Sequence, residues 1–416
     1  MAHAVDHGAS ELEVLVRERF PSGARPSSRI GMELEALPVR SVTHAPVPPL
    51  DGPNGPGTLG VLRRLAVTCG WRESPTGYGV PKFLLAEGGV ISYEPGGQLE
   101  WSSAAHQSLD DLDAAAHDIA RRLADAMLAE GIQLLARGVD PVTGVEGSTM
   151  VVDGERYRRQ RAHYDRIGTP GRAMMLQTAG IHLNLDVGDD PVAAWNVANT
   201  LAPLLVAMFA NSPERAGHAV PHRSHRAAIW RALDPSRTAV FAPTADPAPA
   251  YLDFALGAES FLLGEPGAAS RSFAEWRAIG ATDDDFARHL TTLFPEVRPR
   301  GAYLELRSVD ALPVRWAILP MAVAWAAFHH TPLRRDVLRE LPAPTVDRLR
   351  RAGRFGLADD ELGAEARWLA ERAPAALDAL LPDGRRLVER LEAFLDEFTL
   401  RRRDPGDRAE SFVIDS

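Results

Sequence analysis

Cysteine and lysine each occur once in this 416-residue chain. A lone Cys69 forbids an intrachain disulfide and any paired-cysteine zinc pattern, which fits a reducing cytoplasm. Within VTCGW it reads as a small core or loop residue rather than a nucleophile. With Lys82 the sole lysine, positive charge is carried almost wholly by arginine, whose planar fork suits carboxylates and phosphates. The net charge of −10 argues against a nucleic-acid partner, because such proteins present a basic face. No GxxxxGK[ST] segment occurs, and no βαβ run with a glycine-rich phosphate turn is legible. The start, MAHAVDHGASELEVLVRERF, lacks a basic-then-apolar leader. The most apolar stretch, residues 311–330, contains Arg315 and two prolines and ends in His329-His330, so it reads as a buried helix and not a membrane span. These absences predict a cytoplasmic protein without nucleic-acid or membrane partners, either a monomer or a homodimer.

What is present is an ordinary globular composition, 45% hydrophobic and 25% charged. Residues 29–39 alternate like a strand, and residues 44–58 form a Pro/Gly-rich loop. Residues 82–103 read as two or three strands, with Pro95-Gly96-Gly97 a bulge or tight bend between Glu94 and Glu100. Residues 108–131 form a strong helix pattern with Ser108 as N-cap, and 132–140 a strand. Residues 141–174 read as an Arg- and Tyr-rich functional loop or irregular helix. A strand is predicted over 176–187, a buried helix over 190–213, a short helix over 224–233, a strand over 301–311 and helices beyond. Strands separated by helices and long loops, without βαβ units, predict an α+β fold with a mainly antiparallel sheet. The expected organisation is a catalytic sheet-and-helix domain over 1–330 and a helical region, 331–416, packed on it.

Four of these strands carry acids or metal-capable groups at i, i+2 spacing, hence on one face. They are Glu33 and Glu35; Glu94, Gln98 and Glu100; His182, Asn184 and Asp186; and Glu305 with Arg307. Any one alone reads as the wet face of an antiparallel sheet. Together they offer mainly carboxylates, whose mutual repulsion a divalent cation would relieve. Oxygen-rich sets suit Mg²⁺ or Mn²⁺ shared with nucleotide phosphates. A second cluster, residues 210–237, holds Arg215, Arg223, Arg226, Arg231 and Arg237. The spacing of His218, His222 and His225 is a poor zinc pattern, with Pro221 between and no cysteine near.

The segments GMELEALPV, YEPGGQLEWSS, MMLQTAGIHLNLDV, SHRAAIWRALDPSR and TTLFPEVRPRGAYLELRSVDALP occur in an order that resembles glutamate–cysteine ligases, both plant-type and actinobacterial ergothioneine-pathway enzymes. The resemblance covers about residues 28–330. It implies a curled, funnel-forming sheet like the glutamine synthetase catalytic fold, surrounded by helices. It implies ATP and Mg²⁺ as cofactors, glutamate and cysteine as substrates, and a γ-glutamyl phosphate intermediate. By position it implies Glu33, Glu35, Glu94, Glu100, His182 and Glu305 as metal ligands. Arg307, Glu94 and Glu100 would take part in catalysis, and Arg226, Arg237, His182 and Gln98 would bind substrate or phosphate. Trp101 stands where the family has leucine, which would either alter the amine pocket or pack. The alternatives are a carboxylate–amine ligase with another acceptor and a catalytically silent nucleotide- or metal-binding protein.

Overall fold

Strict alternation in IGMELEALPVR yields strand β1, Ile30–Arg40, with Met32 and Ala36 buried on one side and Glu33 and Glu35 on the other. The computed structural model describes residues 7–22, 29–265, 271–381 and 384–408. The further strands are β2 (Arg72–Ser74), β3 (Lys82–Leu84), β4 (Val90–Tyr93), β5 (Leu99–Ser102), β6 (Ile132–Leu135), β7 (Gly180–Leu185), β8 (Glu214–Arg215), β9 (His218–Ala219), β10 (Val297–Pro299) and β11 (Leu304–Asp310). Nine of them build one open sheet, eight in the order β10-β11-β7-β1-β5-β4-β3-β2 and β6 joined to β1 off this path, while β8 and β9 pair separately. Every strand pairing in the large sheet is antiparallel. β1 is the hub. Its residues 33–36 pair with β5 on one edge; on the other, 30–34 pair with β7 and 37–40 with β6.

Helices cover the apolar face. Helix Leu109–Leu128 starts where Ser108 accepts from the Asp111 N–H, as its sequence predicts. Its Ile119, Ala120 and Leu123 enclose Leu34, Leu99 and Trp101. Helix Pro191–Met208 is capped by Asp190 and lies in the core. Among the described residues it is the only helix long and apolar enough to cross a membrane, and 83% of that stretch is buried inside the fold. The apolar run 311–330 is two helices, Val314–Ala317 and Leu319–His329, with Pro320 in the first turn of the second. Helices from Thr331 to Glu397 share the main core cluster. Arg223 grips Asp404 with two 2.7 Å bonds, and Arg390 pairs with Asp113.

Several expectations need correction. Of the two forms expected at Pro95-Gly96-Gly97, the structure has the tight bend and not the bulge: it is the turn of the β4–β5 hairpin, closed by Glu94 N–H to Gln98 O and Gly97 N–H to Glu94 O. Gly97 sits at φ 90°, and a Cβ on Gly96 would lie 2.3 Å from the Leu176 carbonyl oxygen, so neither position takes a side chain. The strand predicted from 132 to 140 ends at Leu135, and the one predicted from 176 begins at Gly180, because helix Gly171–Gln177 runs into it. Residues 141–174 contain helix Glu155–Ile167. The hexapeptide Gly55–Gly60 does have G-x-G-x-x-G spacing and leads into helix Thr58–Cys69. It belongs to no parallel crossover, so it is not the dinucleotide turn.

Candidate active site

The polar sheet face opens into a cavity of about 240 Å³. Its floor comes from β1, β5 and β7. Register sets Glu35 opposite Glu100 and Glu33 opposite His182. The hairpin turn adds Glu94, so Glu35, Glu94 and Glu100 place ligating oxygens within 4.8 Å of one another. Among the described residues no arginine is paired with any of the three. Burial, then the neighbouring carboxylates, push Glu94 up to about 7. The same causes raise Glu100 well above the usual carboxylate range, although Ser92 and Ser102 donate to it at 3.2 and 2.9 Å. Such a trio is short of positive charge, and its hard oxygen donors fit Mg²⁺ or Mn²⁺.

Glu33 is stabilised differently. Burial opposes its charge, but His182 Nδ1, 2.5 Å from its Oε2, outweighs that and holds its carboxyl below the ordinary value. Glu35 Oε2 accepts from the Gly180 N–H at 2.6 Å. Gln98 lines the cavity, but its amide is spent on the backbone. It accepts from Gly96 N and donates to Thr178 O, both at 2.9 Å, tying the hairpin to the end of helix Gly171–Gln177.

Cations face the acids from β10, β11 and helix His225–Arg231. Arg226 and Arg307 flank the Trp230 ring, 5.8 and 5.6 Å from its centroid. Arg226 donates twice to the Arg307 carbonyl at 3.1 Å, while its Nε has no partner. A buried guanidinium with an unspent donor is poised for an anion. Glu305 lies behind this wall, salt-bridged by Arg298, Arg300 and Arg307. Burial opposes its charge, but Arg298 and Arg307 hold its carboxyl far below the usual range.

The structure does not bring every expected residue into this group. Arg237 is fully buried elsewhere, bonded to Asp234 at 2.8 Å and to the carbonyls of Thr292 and Glu259, with Phe261 against its face. Asn184 and Asp186 border a separate cavity beside Tyr303. Trp101 points to the apolar side, in the core behind Glu100, and packs rather than shaping the cavity. Conversely, Arg298 and the cavity-lining Arg156, Tyr157 and Gln160 of helix Glu155–Ile167 were not expected. Arg298 was visible only as part of the VRPR segment, and the helix has no apolar stripe to announce it.

Comparison with known proteins identifies the family. Residues 29–401 match the glutamate–cysteine ligase family 2 model. Glutamate–cysteine ligase EgtA of Mycolicibacterium smegmatis is 32% identical over 341 residues, covering 76% of this chain and 79% of that protein. The chloroplastic glutamate–cysteine ligase of Nicotiana tabacum is 29% identical over 287 residues, 59% of this chain and 54% of that one. A crystal structure of glutamate–cysteine ligase from Francisella tularensis in complex with AMP superposes with TM-score 0.49 at 15% identity, covering 91% of this chain and 86% of that one. The chain therefore belongs to glutamate–cysteine ligase family 2 and is an ATP-dependent carbon–nitrogen ligase.

Proposed function

We propose that the protein joins the γ-carboxyl of glutamate to the amine of cysteine through γ-glutamyl phosphate, releasing ADP and phosphate, in an ergothioneine or related thiol pathway. One observation carries the reading: a trio of carboxylates without an arginine partner, Glu35, Glu94 and Glu100, faces the buried Arg226 and the half-buried Arg307 across one cavity. Opposed walls of this kind suit a reaction whose substrates are anions and whose phosphates arrive with cations.

Glu35, Glu94 and Glu100 would hold Mg²⁺, with Glu33 and His182 adjoining. Bound there, the ion would offset phosphate charge. Arg307 would steady the transferred phosphoryl group, kept extended by Glu305 and by the Trp230 face. Arg226 would hold a substrate carboxylate or phosphate with its unspent Nε donor. The γ-carboxylate oxygen attacks the terminal phosphorus as the bond to ADP breaks. The amine then attacks the acyl carbon, phosphate leaves, and the amine gives up a proton. Holding the amine beside the acyl phosphate supplies the proximity advantage.

The test is a matrix of Mg-ATP, glutamate and candidate amines, scored by ADP release and product mass. Glutamate with cysteine should yield γ-glutamylcysteine. Turnover only with another amine would select the alternative acceptor. Absence of ADP release with every pair would leave a silent binding protein.

A further inference from the structure

Asp310 ends β11, is 1% exposed, and stands in register with Gly180 on β7. It does not line the acid–arginine cavity. Its carboxylate nevertheless gathers three segments. Oδ2 accepts from the Asn211 N–H at 2.8 Å and from Ser212 Oγ at 2.7 Å, and Oδ1 accepts from Ser224 Oγ at 2.8 Å. A carboxylate is acceptor-only, so both hydroxyl protons must point at Asp310. Their lone pairs are thereby turned to the start of helix His225–Arg231. Ser212 Oγ accepts from the Arg226 N–H at 3.2 Å, and Ser224 Oγ caps the Ala227 N–H at 3.1 Å.

Two glycines make room for this arrangement. A Cβ on Gly138 would lie 2.5 Å from the Asp310 carboxyl carbon. A Cβ on Gly180 would lie 2.6 Å from Arg226 Nη2, so the guanidinium lies directly over bare backbone. From there it reaches the carbonyl of Arg307, three residues before Asp310 on the same strand. Burial pushes the Arg226 guanidinium's pKa down, and the negative charge of Asp310 offsets part of that push.

We propose that Asp310 is a positioning residue for Arg226, working through the oriented hydroxyls of Ser212 and Ser224 to fix the guanidinium against β11. The inference rests on the reading above that Arg226 holds an anionic part of a substrate.

The test is a double-mutant cycle on the full chain with Mg-ATP, glutamate and cysteine, reading kcat and each KM. Asp310→Asn keeps the size but replaces one acceptor oxygen with a donor, so one of the three incoming donors meets N–H. It should lower kcat/KM by about 10- to 100-fold, with the loss concentrated in the substrate whose KM Arg226→Ala also raises. In the Arg226→Ala background, Asp310→Asn should cost less than about 3-fold. Equal losses in both backgrounds would make Asp310 merely structural and overturn the proposal. If Arg226→Ala alone leaves every KM and kcat unchanged, the reading of Arg226 fails, and the proposal with it. If Asp310→Asn does not fold, Ser212→Ala, which removes one relay hydroxyl, should give a smaller loss of the same kind, again absent without Arg226. A Ser212→Ala enzyme with wild-type constants would refute the relay.

Discussion

Glu33 Oε2 and His182 Nδ1 meet at 2.5 Å across the β1–β7 pairing, 149 residues apart in the chain. The bond outweighs the burial that pushes the Glu33 carboxyl up and holds it below its ordinary value. Removing it by His182→Ala should raise the Glu33 pKa, moving the acid limb of the kcat/KM–pH profile toward neutrality. An unmoved acid limb would mean that Glu33 does not control it. Glu33→Ala should abolish turnover while circular dichroism still reports a folded chain.

The acid trio links metal, pH and stability. Glu94 and Glu100 have folded-state pKa values above their unfolded ones, so the folded state binds extra protons. Their contribution is fully present below about pH 4.5, the ordinary carboxylate value, and is lost as pH rises through about 7 for Glu94. In EDTA, Tm should therefore fall between pH 5.5 and 8 more than in Mg²⁺, which replaces the lost protons. Parallel Tm–pH curves with and without Mg²⁺ would remove these carboxylates from the metal site.

Buried charges in the same site should respond in opposite directions. Glu305→Ala leaves Arg298, Arg300 and Arg307 without their shared partner and should cost about 3–5 kcal/mol in urea unfolding. Glu94→Gln removes a repelled charge and should leave the urea midpoint unchanged or higher at pH 8. Both should lose activity. A stable Glu305→Ala enzyme would show that the arginine cage does not need its anion.

Trp101 lies on the apolar side, next to Ile119 and Leu123. Trp101→Leu should cost about 1–3 kcal/mol of stability through the space it vacates. It should leave the preference among acceptor amines within about 3-fold of wild type. A change of acceptor would put this side chain into the amine pocket after all.

Parity made the acids legible. Alternation in GMELEAL and the spacing of Glu94, Gln98 and Glu100 announce a polar face, and the register confirms that Glu35 meets Glu100. Parity also held the answer for Trp101, because the neighbour of an inward Glu100 must face the other way. Helices with caps at Ser108, Asp190 and Ser224 were readable to within a few residues. Helix Glu155–Ile167 was not, since only Gln160, His163 and Tyr164 of its thirteen residues are buried. The boundary at 176–180 was hidden because helix and strand are both apolar there and only Thr178 and Ala179 separate them. Arg237 misled for a different reason. Residue type reveals charge but not the partner, and Asp234, three positions earlier, had already claimed it.

The acids of the cavity floor come from residues 33–100, whereas Arg226, Arg298 and Arg307 lie at least 126 residues further on. During synthesis the β4–β5 hairpin can close early, but Arg226, Arg298 and Arg307 come to face the acids only once β7 has docked on β1 and β11 on β7. A nascent or truncated chain ending before β7 would carry the acids without Arg226, Arg298 or Arg307 to face them. Competence to bind substrate thus depends on the long-range pairing of β1 with β7, which joins the acid floor to the strands that carry its cations.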